Sequence, residues 1–341
     1  MWGTIFRKIV EQIFQKSIKQ LQRKNPEEIL ELIKAFNREK RSISAHLMTD
    51  YGLNNEFDPL KSVLVHRPGP EVELIDEKNP WKWLFNKKYD LNKALLEYDA
   101  MIRLVRQETG ANIIFLQDPS KESNVIFPPN QSYVRDHGFM TPYGAIVGHA
   151  DQPRTYEEDF VMRKLVELDI PIIFKVYGTG MMEGGDVIYL DEETLLLGLS
   201  YRTNLTGYRQ VKAVLEGFIV ERVIPVRLSP EVMHLDTVFN VASRTVAAVY
   251  PKAVPERFIK TVKRKGFEVV EVPKREAKTL AVNWLCLASG KILFIDGEEK
   301  MNITTRRKLE RHGIDIVSLK MPELLGGAGG PRCLTMPLSR K

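Results

Sequence analysis

The sequence predicts an α/β protein in which five ββαβ units close into a propeller, preceded by a helical extension. A strand, turn, strand, helix, strand pattern recurs at roughly 45–60 residues from about residue 56 onward, the kind of period that marks stacked or circularly arranged units. With 341 residues, 43% of them hydrophobic, the chain can bury a sizeable core. Each unit alone is too small to cover both faces of its sheet, so the units must associate around a common axis with helices outside.

Residues 1–50 form the extension. Ile5, Phe6, Ile9, Val10, Ile13 and Phe14, and then Ile29, Leu30, Leu32, Ile33 and Phe36, have helical apolar spacing over residues 5–41. Asn25-Pro26-Glu27-Glu28 caps the second of these two helices and places a proline in its first turn. Their apolar stripe would pack on the protein's own body or on a second copy of the chain, giving a homo-oligomer. The repeat domain then runs over residues 56–341. Its first unit is "LKSVLVHRPG", a long insertion containing Trp81 and Trp83, the helix "NKALLEYDAMIRLVRQETG" and the strand "ANIIFLQDP". The second is "HGFMTPYGAIVGH", "YEEDFVMRKLVELD" and "IPIIFKVYG"; the third is "GDVIYLDEETLLLGLS", "GYRQVKAVLEG" and "VERVIPVRL". The fourth is "HLDTVFNVASRTVAAVYP", "ERFIKTVKRKG" and "FEVVEVP". In the fifth, "LAVNWLCLASGKILFIDG" turns at Ser289-Gly290, "MNITTRRKLERHG" is stopped by Gly313, and "IDIVSLKMP" closes the unit.

Composition excludes several classes. The net charge of +6 comes mainly from the first 44 residues, where ten Lys and Arg face five Glu; no zinc-finger or RNP-like signature accompanies them, so no nucleic-acid partner is expected. No stretch of about 18 apolar residues occurs, which argues against a membrane span, and with no secretory signal pattern the expected location is the cytoplasm. Two cysteines make no disulfide framework and show no zinc-ligand spacing, so neither metal nor cofactor is expected. Cys286 lies in the apolar strand "NWLCLAS" and reads as a small core hydrophobe. Cys333, on the glycine-rich loop "GGAGGPRCLTMPL", calls for another explanation.

Equivalent points of the units should meet near the axis. Those points carry Arg135-Asp136, Glu183 and Asp186, His234 and Asp236, and Asn283. Clustered carboxylates repel one another unless a cation balances them. His234 and Asp236 are two apart in an extended segment and share a face, while Glu183 and Asp186 straddle two glycines that let backbone approach a ligand closely. No Lys-Ser/Thr follows the glycines near Cys333, so the loop is not a phosphate-binding P-loop.

In order and spacing, "NQSYVRD", "MEGGDV", "MHLD" and "GGPRCLTMP" resemble the arginine deiminase and dimethylarginine dimethylaminohydrolase branch of the guanidino-group modifying enzymes, whose fold is the five-bladed pentein propeller. The resemblance covers about residues 56–341. It implies a hydrolase acting on C–N bonds of linear amidines, with a small guanidino compound as substrate and a ureido product such as citrulline. Cys333 matches the nucleophile that forms a covalent thiouronium, His234 the general acid and base, and Glu183 the residue that orients that histidine. Asp136 and Asp236 match the pair that grips the guanidinium. Asn130, Tyr133, Arg154, Asp186 and Arg202 match substrate-binding positions, and Leu84 and Phe85 a segment edging the pocket. One departure stands out: arginine deiminases carry an arginine five residues before the nucleophile, and this chain has Ala328 there.

An amidinotransferase would use the same covalent step but would require an acceptor amine. A non-catalytic pentein binding protein would lack the Cys-His-Glu set. A cysteine peptidase would have no use for clustered carboxylates.

Overall fold

The computed structural model describes residues 51–119, 125–297 and 301–341. The two N-terminal helices expected in residues 5–41, and the extension over residues 1–50, lie outside the described residues. The described residues belong to one compact unit.

Among the described residues there are five three-stranded sheets. In four of them the order follows the chain. The sheets are β3 (Gly138–Thr141), β4 (Gly144–Val147) and β5 (Ile172–Lys175); β6 (Val187–Asp191), β7 (Thr194–Leu199) and β8 (Arg222–Arg227); β9 (Phe239–Val241), β10 (Val246–Val249) and β11 (Glu268–Glu271); and β12 (Leu285–Ala288), β13 (Lys291–Ile295) and β14 (Asp315–Leu319). In each, the first two strands pair antiparallel and the third returns parallel to the middle one. A parallel return needs a crossover, and a helix supplies it each time: α2 (Glu157–Glu167), α3 (Leu205–Leu215), α4 (Glu256–Arg264) and α6 (Ile303–Arg311), with the short α5 (Lys274–Ala277) between the last two sheets.

The first sheet is built differently. β1 (Leu60–Val65) is its middle strand and pairs parallel with β2 (Asn112–Phe115), but its antiparallel neighbour is β15 (Met336–Arg340), in the register Leu64↔Met336. The first unit thus has one strand before its helix, and the end of the described chain provides the other. Helix α1 (Leu91–Thr109) joins β1 to β2. Its N-cap Asp90 accepts from the Lys93 N–H, and Gly110, at φ 65°, donates to Arg106 O, closing both ends in the usual way. Ala94, Tyr98, Met101, Ile102 and Val105 make its buried face.

Neighbouring sheets in chain order touch one another. β15 packs on β3; His149 and Met182 form a β-bridge between the second and third units; and Asn240 of β9 donates to the carbonyls of Val282 and Trp284 in the fifth unit. Arg340 of β15 donates to Cys286 O of β12, which joins the last unit to the first. Cys286 is buried in the apolar core, as its strand context implies, and burial pushes its thiol up to about 12. No helix among the described residues is long and apolar enough to cross a membrane.

Candidate active site

The first strands of the second, third and fourth sheets are each entered through a single 3-10 turn: Val134–His137, Gly184–Asp186 and Leu235–Thr237. The residues flanking and forming these turns are the polar ones singled out in the sequence, and successive turns touch one another. Gly185 makes the approach possible, since a Cβ there would stand 2.6 Å from Asp136 Oδ1 and 2.8 Å from the His234 ring.

The loop carrying Cys333 completes the lining of the site. A turn over Leu324–Gly327 ends on Ala328 at φ 65°, a left-handed conformation unusual for a residue with a Cβ. Cβ atoms on Gly327 and Gly329 would meet the Tyr133 ring system at 1.8 and 2.4 Å. The glycines therefore let the loop lie against Tyr133. Asn283 fixes its far end: Oδ1 accepts from Gly330 N (3.2 Å) and Cys333 N (3.3 Å), while Nδ2 donates to Asp236 O (3.1 Å). One buried amide thus ties the Cys333 backbone to the Asp236 turn. The sequence placed Asn283 at the equivalent point of the fifth unit but gave it no task.

Between loop and turns lies a small, partly open pocket lined by Leu84, Asn130, Tyr133, Asp136, Arg154, Met233, His234, Gly327, Ala328, Gly329 and Cys333. Asn130 donates to Trp83 O (3.0 Å), and Phe85 packs edge-on to Tyr133 at 6.0 Å. Seven residues given site roles from the sequence, Cys333, His234, Asp136, Asn130, Tyr133, Arg154 and Leu84, reach this lining, whereas Phe85 stands behind Tyr133. Glu183 and Asp236 stand directly behind His234 and Cys333. Asp186 and Arg202 lie one layer further back. Asp186 accepts from Leu235 N (2.9 Å) and Ser200 Oγ (2.7 Å), locking the third-sheet turn to the fourth. Arg202 donates to Glu183 and to the carbonyls of Asp151 and Gln152. Those bonds direct both side chains at protein groups and not at the pocket.

The charges are closely interlocked. His234 Nε2 lies 2.7 Å from Glu183 Oε2, and its Nδ1 lies 3.7 Å from Asp136 Oδ1. Burial works against the charged imidazole, yet Asp136, Glu183 and Asp186 prevail and raise its pKa to about 10. Burial would raise Glu183, but Arg154, His234 and Arg202 hold it well below the usual carboxylate range. Arg154 Nη1 bridges Asp136 Oδ2 (2.6 Å) and Glu183 Oε2 (3.2 Å), while its Nε reaches Glu157 Oε2 at 2.8 Å. Asp136, Glu183 and His234 offer three donor atoms within 4.8 Å of one another, a set that could gather a cation. Here the Arg154 guanidinium supplies the positive charge between the two carboxylates. Across the pocket, Arg332 Nη1 donates to Asp236 Oδ2 at 3.1 Å, and the Cys333 thiol faces the same oxygen at 3.8 Å. Burial, together with Asp236 and Asp136, pushes that thiol well above its ordinary value.

One pattern follows from these bonds. Asp136 and Asp236 each have Oδ2 tied to an arginine, and each has Oδ1 buried without a hydrogen-bond partner. Buried acceptors left unpaired cost free energy, and a planar ligand bearing several N–H groups is the chemical complement of two such oxygens.

The sequence model of the family described as N,N dimethylarginine dimethylhydrolase, eukaryotic, matches residues 76–340. The uncharacterized protein YkgA of Bacillus subtilis (strain 168) is 30% identical over 213 residues, 62% of this chain and 71% of that protein. The arginine deiminase of Listeria welshimeri is 27% identical over 261 residues, and the match spans 62% of each chain. Among solved structures, a Cys-to-Ser mutant of DDAH from Pseudomonas aeruginosa, complexed with citrulline, superposes with a TM-score of 0.65 at 21% identity, covering 82% of this chain and 99% of that one. At that identity the likeness establishes the fold.

Proposed function

Because the chain belongs to the N,N-dimethylarginine dimethylhydrolase family, we propose that it is a guanidino-group hydrolase working through a covalent cysteine intermediate. The observation that carries this reading is a pair of carboxylates, Asp136 lining the pocket with His234 and Cys333, and Asp236 facing the Cys333 thiol through Oδ2, each with an Oδ1 that has no hydrogen-bond partner.

A guanidinium is planar, cationic and resonance-stabilised, so its carbon is a poor electrophile until it is held and aligned. In this reading the substrate's N–H groups donate to the two free carboxylate oxygens, which places the guanidinium carbon against Cys333 Sγ. The thiol is protonated in the free protein, and the incoming cation, set beside two carboxylates that otherwise oppose ionisation, favours the thiolate, whose proton passes to solvent. Sγ then bonds to the carbon while the C=N electron pair moves onto nitrogen, giving a tetrahedral adduct. His234, charged at neutral pH and held by Glu183, gives its proton to the departing nitrogen. The C–N bond breaks, ammonia or a substituted amine leaves, and a thiouronium remains on Cys333. Neutral His234 next takes a proton from water, whose oxygen attacks the same carbon. The C–S bond breaks, the hydroxyl proton passes to the departing sulfur, and the thiol is restored as a ureido product leaves, citrulline if the substrate is arginine. Asn130 and Tyr133 flank the guanidinium, Arg154 keeps Asp136 in place, and Asp186 and Arg202 support the turn and Glu183 from behind. Beyond the guanidinium the substrate meets Leu84, Met233 and Ala328.

The test is a panel of arginine, methylated arginines, agmatine and smaller guanidino acids with no metal or cofactor added. At least one should yield a ureido product, and Cys333→Ala should abolish it. Full turnover by that variant would overturn the mechanism. Turnover only when an acceptor amine is present would identify an amidinotransferase, and stoichiometric binding without turnover a binding protein.

A further inference from the structure

Arg332 immediately precedes Cys333, and its side chain runs away from the pocket into the protein. It is 1% exposed. Its guanidinium is a three-way junction: Nη1 donates to Asp236 Oδ2 at 3.1 Å, and Nη2 donates to Glu56 Oε1 at 2.8 Å and to Val187 O at 3.0 Å. Glu56 lies ahead of β1 in the chain and accepts in addition from Tyr189 N. It is 6% exposed. Burial acts to raise its carboxyl, but Arg332, Arg135 and Arg340 overcome this and hold it lowered. The pairing therefore joins two ionised groups.

Asp236 is surrounded by Arg332, His234, Asp136, Arg135 and Cys333. Of the cations, Arg332 makes the hydrogen bond, and it makes it to the oxygen that also faces the thiol. A guanidinium with a single anionic partner could pivot about that contact. A second anion, contributed from 276 residues upstream, fixes the plane.

We infer that the Glu56–Arg332 pair is the positioning device for Asp236: Glu56 fixes the guanidinium, the guanidinium ties Oδ2 beside Cys333, and Oδ1 is left for the substrate. The inference rests on the guanidino-hydrolase reading for the identity of the ligand but not for the geometry. Its consequence is that the charge of residue 332 and its planar shape act separately. A lysine keeps the charge near the thiol but cannot bridge two carboxylates in one plane.

The experiment compares Arg332→Lys and Arg332→Gln with wild type by two readouts, after thermal melts show which variants fold. The first is the pH at which Cys333 is half alkylated by iodoacetamide, followed by peptide mass spectrometry to separate it from Cys286. Arg332→Gln should raise that midpoint by about one pH unit, and Arg332→Lys should leave it near wild type. The second is steady-state turnover of whichever guanidino compound wild type accepts. Arg332→Lys should raise KM about tenfold with a smaller change in kcat, a loss of about 1.4 kcal/mol in binding. If Arg332→Gln does not fold, Glu56→Gln replaces it: the charge of Arg332 stays but its plane is no longer fixed, so KM should rise as in Arg332→Lys, and a folded Glu56→Gln with wild-type KM overturns the inference. A folded Arg332→Lys with wild-type KM overturns the inference. If wild type turns over no compound, the functional reading has failed, and the alkylation midpoint still decides: a shift in Arg332→Gln supports the pairing with the thiol site, and no shift overturns it.

Discussion

At the scale of single residues, His234 shows how the site sets its own pH range. Its imidazolium is raised to about 10 in the folded protein, with Asp136 and Glu183 outweighing burial, whereas a free imidazole titrates near 6.5. Stability contributed by this raised group is fully present below about pH 6.5 and is lost as pH rises towards 10. The melting temperature of wild type should therefore fall more steeply between pH 7 and 10 than that of His234→Gln, by roughly 5 °C; parallel pH curves would show that the charge is not coupled to folding. That Cys333, His234, Glu183 and Asp136 would come together was legible at this scale, because each stands in a short motif of unusual composition. The roles of Glu56 and Arg332 were not legible. Their contact joins positions 276 apart, and nothing local distinguishes a buried ion pair from a surface one. For the same reason Asp186 and Arg202 looked from the sequence like substrate ligands: a charge beside a motif does not reveal whether it faces the ligand or the ligand's neighbours.

At the scale of elements, the loop before Cys333 depends on missing side chains. A Cβ on Gly327 would stand 1.8 Å from Tyr133 Oη and 3.0 Å from Phe85 Cε1, so Gly327→Ala must displace either the loop or the aromatic wall. We expect kcat/KM to drop about 10- to 100-fold with little change in thermal stability, as befits a misplacement near 1 Å. Wild-type kinetics in that variant would mean that Tyr133 can swing aside without cost. The elements themselves were readable from periodicity: period-two apolar runs around short turns gave the strand pairs, and helical stripes ended by Gly110, Gly266 and Gly313 gave the crossovers. The composition of the first sheet was not readable. The strand beside β1 is β15, and no local pattern in either segment records that pairing.

At the scale of the whole molecule, the last unit is joined to the first by a shared apolar cluster, in which Leu60, Val63, Tyr98 and Met101 pack with Leu285, Leu287, Leu293 and Leu319, and by a few buried polar contacts. Arg340 donates to Cys286 O and to Asp58 O, both at 2.8 Å, and is 4% exposed. Arg340→Ala leaves those carbonyls unpaired and should lower unfolding free energy by about 2 kcal/mol, measured by urea titration; a shift below about 0.5 kcal/mol would show that the closure lies elsewhere. The same closure governs timing. Cys333 is followed almost at once by β15, whose place beside β1 is sealed by Ser62 Oγ and Ser339 Oγ at 2.7 Å, 277 positions apart. Contacts so distant along the chain carry a large loop-closure cost and slow folding. Asp136, Glu183 and His234 come from the second, third and fourth units, whereas Cys333 reaches them only through the segment that ends in β15, so the pocket is complete only when the last strand has paired with the first.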